Sequence, residues 1–175
     1  MENPTHSQTA GKNGQDRDEF LDLLAPMMAG PVVARDAYRM SLWSNFFNGP
    51  VYKQLQKTHG LVRDEVNTLF CLAHLDDLNQ RDICLVMGRP KNSVSRAIAR
   101  LVERDLIEAR GDPGDRRRAK LRLKPKGRAL YETTSRLFVE REAKMLASLT
   151  PREREQLGAI LTKLMESHHE WSELY

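Results

Sequence analysis

The stretch from Leu78 to Leu130 limits what this chain can fold into more than any other part of it. Asn79 is placed to cap a short helix over Gln80–Met87, in which Ile83, Leu85 and Val86 are apolar. An Asn side chain at that position satisfies N–H groups that the first helical turn leaves without a carbonyl. Gly88-Arg89-Pro90 makes a three-residue turn, and Lys91–Arg104 follows with Val94, Ile98, Leu101 and Val102 at i, i+4, i+7 and i+8. That spacing predicts one buried stripe on a helix. The opposite face carries Asn92, Ser93, Ser95, Arg96, Ala99 and Arg100. Leu106–Arg110 and Ala119–Leu123 are two short alternating segments, joined by GDPGDRRR, a turn rich in Gly, Pro and Asp with a cationic tip. Two short helices around a glycine turn, the second amphipathic and polar at its start, followed by a β-hairpin, describe a winged helix-turn-helix.

Charge falls in the same place. The 175 residues carry a net charge of +4, yet Gln80–Arg128 alone holds 15 Lys/Arg against 6 Asp/Glu. A concentration of this kind is the electrostatic footprint of a polyanion partner, most often nucleic acid, although a solvated basic face would give the same count. Asn92, Ser93, Ser95 and Arg96, near the start of the amphipathic helix, are placed for a major groove. There Arg can grip guanine and Asn adenine with two hydrogen bonds each. Arg116, Arg118, Lys91, Arg100 and Lys120 are suited to phosphates. Arginines at a wing tip suit the narrow, electronegative minor groove, and Asp112 and Asp115 would hold the turn and an arginine in place.

At these residues the chain resembles the MarR family of bacterial winged-helix regulators. Asn92-Ser93-Val94-Ser95-Arg96, then LVERDLI over Leu101–Ile107, then GDPGDRRRAKLRLKPKGRAL look like that family's recognition helix, first wing strand, wing and following helix. The resemblance is specific over about Leu61–Leu130 and extends in outline from Pro31 to Trp171. Pro90 and Lys124 stand where the family usually has an Asp, Ser or Thr cap, departures that bear on where those two helices start. The resemblance implies a homodimer and assigns Arg117, held by Asp115, to the minor groove. It also implies a small-molecule pocket between dimerisation helices and winged lobe. Tyr38, Arg39, Trp43, Asn45, Phe46, Phe47 and His74 would line it, suiting an aromatic carboxylate or its thioester; the same aromatic stripe also reads as dimer core.

Outside the winged segment the reading is helical. Residues 1–16 are polar and are read as a disordered tail. Residues 17–60 are assigned to N-terminal dimerisation helices, 61–124 to the winged lobe and 125–175 to C-terminal dimerisation helices. Asp18–Met28 is a short helix, Pro31 opens a second that runs to about Phe47, and Asn48-Gly49-Pro50 breaks it. Val51–Thr58 and Arg63–Leu75 are further helices. A long helix spans Lys126 to about Leu149. Thr150-Pro151-Arg152-Glu153 is a capping box that starts the last helix, with Leu157, Ile160, Leu161, Leu164 and Met165 in one stripe. The fold class is therefore mainly α with a small β-wing.

Several classes find no support. No apolar run reaches the roughly 18 residues of a membrane span, and the N-terminus lacks the order of a signal peptide. Cys71 and Cys84 lie in apolar stretches and fit a reducing cytoplasm; a redox switch through them is an alternative, for which buried thiols are poorly suited. His168-His169 point about 100° apart on a helix, a poor metal geometry, and no metal or cofactor is expected. No catalytic motif is present, so an enzyme is not expected. The sequence thus predicts a DNA-binding regulator that acts on a pseudo-palindromic operator as a repressor released by a small effector. A non-specific architectural or RNA-binding protein is the rival reading.

Overall fold

The computed structural model describes the backbone of residues 7–30, 33–75, 77–111 and 119–170, with side chains from residue 18 onward. Two compact units divide the chain, residues 1–46 and 47–175. Among the described residues the elements follow in order: α1 (Ser7–Ala29), α2 (Arg35–His59), α3 (Arg63–His74), α4 (Gln80–Met87), α5 (Lys91–Glu103), β1 (Ile107–Arg110), β2 (Lys120–Leu123), α6 (Pro125–Met145) and α7 (Pro151–Glu166). A 3-10 turn, His168–Glu170, comes last.

The first unit holds α1 and the first part of α2. Phe20 meets Phe46 edge to face with ring centroids 5.5 Å apart. The Arg39 guanidinium donates to the Met28 carbonyl oxygen and pairs with Asp36. Two expectations change here. Helix begins at Ser7, inside the stretch read as a tail, and α1 runs through Pro26 to Ala29. The helix formers Ala, Gln, Lys, Arg and Glu between Ser7 and Glu19 carry it through two glycines. The expected start of the next helix at Pro31 falls outside the described residues; α2 begins at Arg35, after Ala34 in the left-handed region at φ 52°.

The expected break at Asn48-Gly49-Pro50 does not occur: α2 is one helix through Pro50 to His59. Proline removes a single N–H, and burial of Val51 and Leu55 just beyond it, at 4% and 0% exposure, favours continuing the helix. Gly60, at φ 64°, then ends it.

The second unit is built around α3. Leu55 and Leu61 meet Leu69 and Leu72 of α3, Ile83 of α4, Val94 and Leu101 of α5, and Leu106, Ile107 and Leu121 of the hairpin in one buried cluster. β1 and β2 pair antiparallel with Ile107 opposite Leu123 and Arg110 opposite Lys120. Leu78, in the α3–α4 connection, adds a bridge to Leu121, whose N–H donates to the Leu78 carbonyl at 2.8 Å. The hairpin is therefore fastened on one side by the chain that enters the helix-turn-helix. Gly127, buried near the start of α6, lies against the Leu106 carbonyl. Among the described residues, α7 buries no side chain, and Ile160, Leu164 and Met165 of its stripe are 57%, 40% and 65% exposed.

Candidate nucleic-acid interface

The helix-turn-helix forms for local reasons that the sequence carries. The Asn79 side chain accepts from the Asp82 N–H at 3.0 Å, and the Asp82 carboxylate accepts from the Asn79 N–H at 2.9 Å, a reciprocal cap on α4. Gly88 ends α4 in the left-handed region at φ 57°, and the Arg89 N–H returns to the Cys84 carbonyl at 3.2 Å. Pro90 precedes α5 with no side-chain cap. Its fixed φ suits that position, and the Ser93 hydroxyl donates to the Pro90 carbonyl at 2.9 Å. The helix starts at Lys91 in spite of the missing cap. Lys124 likewise precedes α6 without a side-chain cap, and Pro125 takes the first helical position.

Val94, Ala97 and Leu101 anchor α5 in the core, each at most 2% exposed. Ile98 is half-buried and Val102 exposed, so the buried stripe is centred one residue from the predicted one and includes Ala97. The opposite face presents Lys91, Asn92, Ser95 and Arg96 to solvent, with Ser93 half-exposed. Among the described residues Lys91 and Arg96 have no ion-pair partner. The structure thus brings together the residues expected at the recognition surface. Asp112, Asp115, Arg116, Arg117 and Arg118 of the wing tip lie outside the described residues.

Ion pairs that the sequence did not reveal surround this surface. Arg89, in the turn, donates to both carboxylate oxygens of Asp64 at 2.9 and 3.3 Å. Arg100 Nε lies 3.0 Å from Oε1 of Glu65, whose side chain is fully buried while that of Arg100 is 50% exposed. Glu65 Oε2 accepts from the Val62 N–H at 2.7 Å. Arg122 of β2 donates twice to Asp77 at 3.0 and 2.6 Å, and Lys120 sits 4.0 Å from Asp82. Asp64 and Glu65 read in sequence as ordinary acids in the first turn of a helix; nothing in their spacing announces partners 25 and 35 positions away.

The ligand-pocket candidates divide between the two units. In the first, Tyr38, Trp43, Asn45 and Phe46 are exposed on α2, while Arg39 is committed to Asp36 and the Met28 carbonyl. In the second, Phe47 packs on Phe138 at 6.1 Å between centroids, and its carbonyl accepts from Arg141 at 2.7 Å. His74 belongs to a separate cluster, with Nε2 2.6 Å from the Tyr131 hydroxyl and its ring 4.6 Å from Phe70. Tyr52 donates to Asn67 at 2.8 Å beneath Arg63; burial pushes its hydroxyl pKa up against the opposing Arg63 charge. Burial also pushes both thiols above the ordinary cysteine value, and the Lys91 charge opposes this only partly at Cys84. Among the described residues no cluster of His, Cys, Asp and Glu could hold a metal, and no helix is long and apolar enough to cross a membrane.

Helices α3 to α5 and the hairpin make a winged helix-turn-helix lobe. A sequence model of the MarR family matches residues 59–118. The HTH-type transcriptional regulator BilQ of Clostridium symbiosum is 33% identical over 86 residues, 49% of this chain and 60% of that protein, so the chain spans well under two thirds of its length. A MarR-family regulator from Silicibacter pomeroyi superposes with a TM-score of 0.70 at 25% identity, over 79% of this chain and 92% of its own. MepR of Staphylococcus aureus in complex with DNA gives 0.62 at 28% identity, over 75% of this chain and 94% of its own. Residues 59–118 thus match the MarR family, and the chain is similar in fold to transcriptional regulators of that family.

Proposed function

We propose that the protein is a sequence-specific, double-stranded-DNA-binding transcriptional regulator that works as a homodimer. The observation that carries this reading is α5: it is clamped by its apolar stripe and directs Lys91, Asn92, Ser95 and Arg96 outward. MepR, a relative with the same lobe, is known bound to DNA. Each subunit places α5 in a major groove, where Arg96 and Asn92 read base edges and Lys91 holds a phosphate. The wing, with Arg117 at its tip, enters the flanking minor groove. The exposed apolar stripe of α7 supports a dimer, since about 25 cal/mol per Å² is gained on covering such surface. Two-fold symmetry then gives a pseudo-palindromic operator with half-sites roughly 10 bp apart.

The regulator acts as a repressor that a small molecule releases, with an aromatic carboxylate or thioester as the ligand class. Exposed Tyr38, Trp43 and Phe46 on α2 support an aromatic-lined site. A ligand that changes the spacing of the two α5 helices would weaken binding by about 5–150-fold, the usual scale of such coupling. The test is fluorescence anisotropy against duplex from the gene's own upstream region and a scrambled duplex, at about 150 mM salt. A preference of about 10³-fold is expected of a specific regulator. Equal, steeply salt-dependent binding to both duplexes, persisting with duplexes from unbiased site selection, would replace this reading with a non-specific nucleic-acid binder.

A further inference from the structure

Arg100 occupies an unusual position on α5. It lies one turn beyond Arg96 on the exposed side of the helix, yet its Nε is 3.0 Å from Glu65 Oε1, a buried oxygen that accepts no hydrogen bond, so the two are joined as an ion pair. The contact joins α5 to α3 through the core side of the lobe. Glu65 Oε2 is occupied by the Val62 N–H, so Oε1 has Arg100 as its counter-ion. Among the described residues the two terminal nitrogens of Arg100 have no hydrogen-bond partner, and the side chain is half-exposed.

Two consequences follow. A guanidinium kept beside a buried counter-ion has fewer rotamers left to lose when its terminal nitrogens meet a phosphate. The buried carboxylate also cancels its charge, so Arg100 contributes directed donors to the DNA face without adding to the general attraction for any polyanion. We infer that Glu65, a residue of α3 remote from the DNA face, is a specificity-determining positioning residue that acts through Arg100. This inference rests on the DNA-binding reading above. It removes Arg100 from the plain phosphate set and gives the Glu65–Arg100 pair a role in discriminating operator from bulk DNA.

Glu65→Gln keeps a side-chain oxygen for the Val62 N–H and releases one positive charge per subunit. Scrambled duplex should then bind more tightly at low salt, with the log–log salt slope steeper by about 0.9 for each charge freed. Between 50 and 200 mM salt that slope change is worth roughly threefold per charge. The operator-to-scrambled ratio should fall, and a thermal melt would show whether the variant stays folded. The double variant Glu65→Gln/Arg100→Gln restores the parent's charge. It should return the slope to the parent value and leave the ratio low, because the directed donors are gone. An unchanged slope and ratio in folded Glu65→Gln would overturn the inference, as would a double variant that recovers the full ratio. If Glu65→Gln unfolds, the double variant carries the test alone. Absence of any DNA binding by the parent chain would instead overturn the reading on which the inference stands, and the inference with it.

Discussion

Gly127 is a position where one added carbon decides stability. A Cβ there would overlap the Leu106 carbonyl oxygen, sit 2.9 Å from the Leu106 carbonyl carbon and press within 3.2 Å of Leu123 Cδ2. Backbone on one side cannot yield as a side-chain tip can. Gly127→Ala should cost about 3 kcal/mol, the upper end for overpacking, or roughly 6–10 °C in melting temperature for a chain of this size. A melt unchanged within 2 °C would show that α6 can shift away. In sequence this glycine looks like a weak spot in a helix. Its role depends on a carbonyl 21 positions earlier, and no local pattern carries that information. Gly88 was legible, because a glycine between two helical patterns has a local meaning. The cysteines were partly legible too. Their apolar neighbours pointed to burial, which is complete for Cys71 and partial for Cys84. With both pKa values raised, the thiolate forms only as pH rises past the ordinary cysteine range. Alkylation by iodoacetamide at neutral pH should therefore run slower than for a free thiol and accelerate in alkali, with Cys84 reacting first. A fast reaction at pH 7 would reopen a redox role.

At the scale of elements, caps and turns explain which boundaries could be read. The α4 start at Gln80 and the α7 start at Pro151 were both visible, since Asn79 and Thr150 act on their own neighbours. Thr150 accepts from the Glu153 N–H, while Glu153 accepts from Thr150 and is held below its ordinary pKa by that bond. Asn79→Ala removes the α4 cap and leaves an orphan N–H at the entrance to the helix-turn-helix. A loss of about 1 kcal/mol is expected in chemical denaturation, with a proportional loss of DNA affinity only if α4 frays before the lobe unfolds. The break expected at Asn48-Gly49-Pro50 failed for the opposite reason. Burial of Val51 and Leu55 is a tertiary gain of roughly 1.5–3 kcal/mol per side chain, comparable to the ~3 kcal/mol that an interior proline costs. Sequence rules price the proline and cannot see the burial.

The same limit governs charge across the whole molecule. Gln80–Arg128 looked like one large cationic surface because its 15 basic residues meet only 6 acids within the segment. Folding brings in Asp64, Glu65 and Asp77 from just before it, and these neutralise Arg89, Arg100 and Arg122. Glu108 and Asp105, from inside the segment, take Arg110 and Lys124. Among the described residues of the segment, Arg81, Lys91 and Arg96 are the cations that make no ion pair or hydrogen bond through their side chains. Among the described residues the cations left without a partner are therefore fewer than the composition suggested, and they lie at the starts of α4 and α5. Matched substitutions separate the two kinds of arginine and lysine. Lys91→Ala should reduce the magnitude of the log–log salt slope by about 0.9 per subunit, since each lost phosphate contact releases one counterion fewer. Arg122→Ala removes the same formal charge from the same segment, yet should leave that slope nearly unchanged. Its cost should appear in the melt instead, as the loss of at most about 1 kcal/mol from an exposed pair with Asp77. Equal slope changes in the two variants would mean that net segment charge, and not the free cations alone, sets affinity.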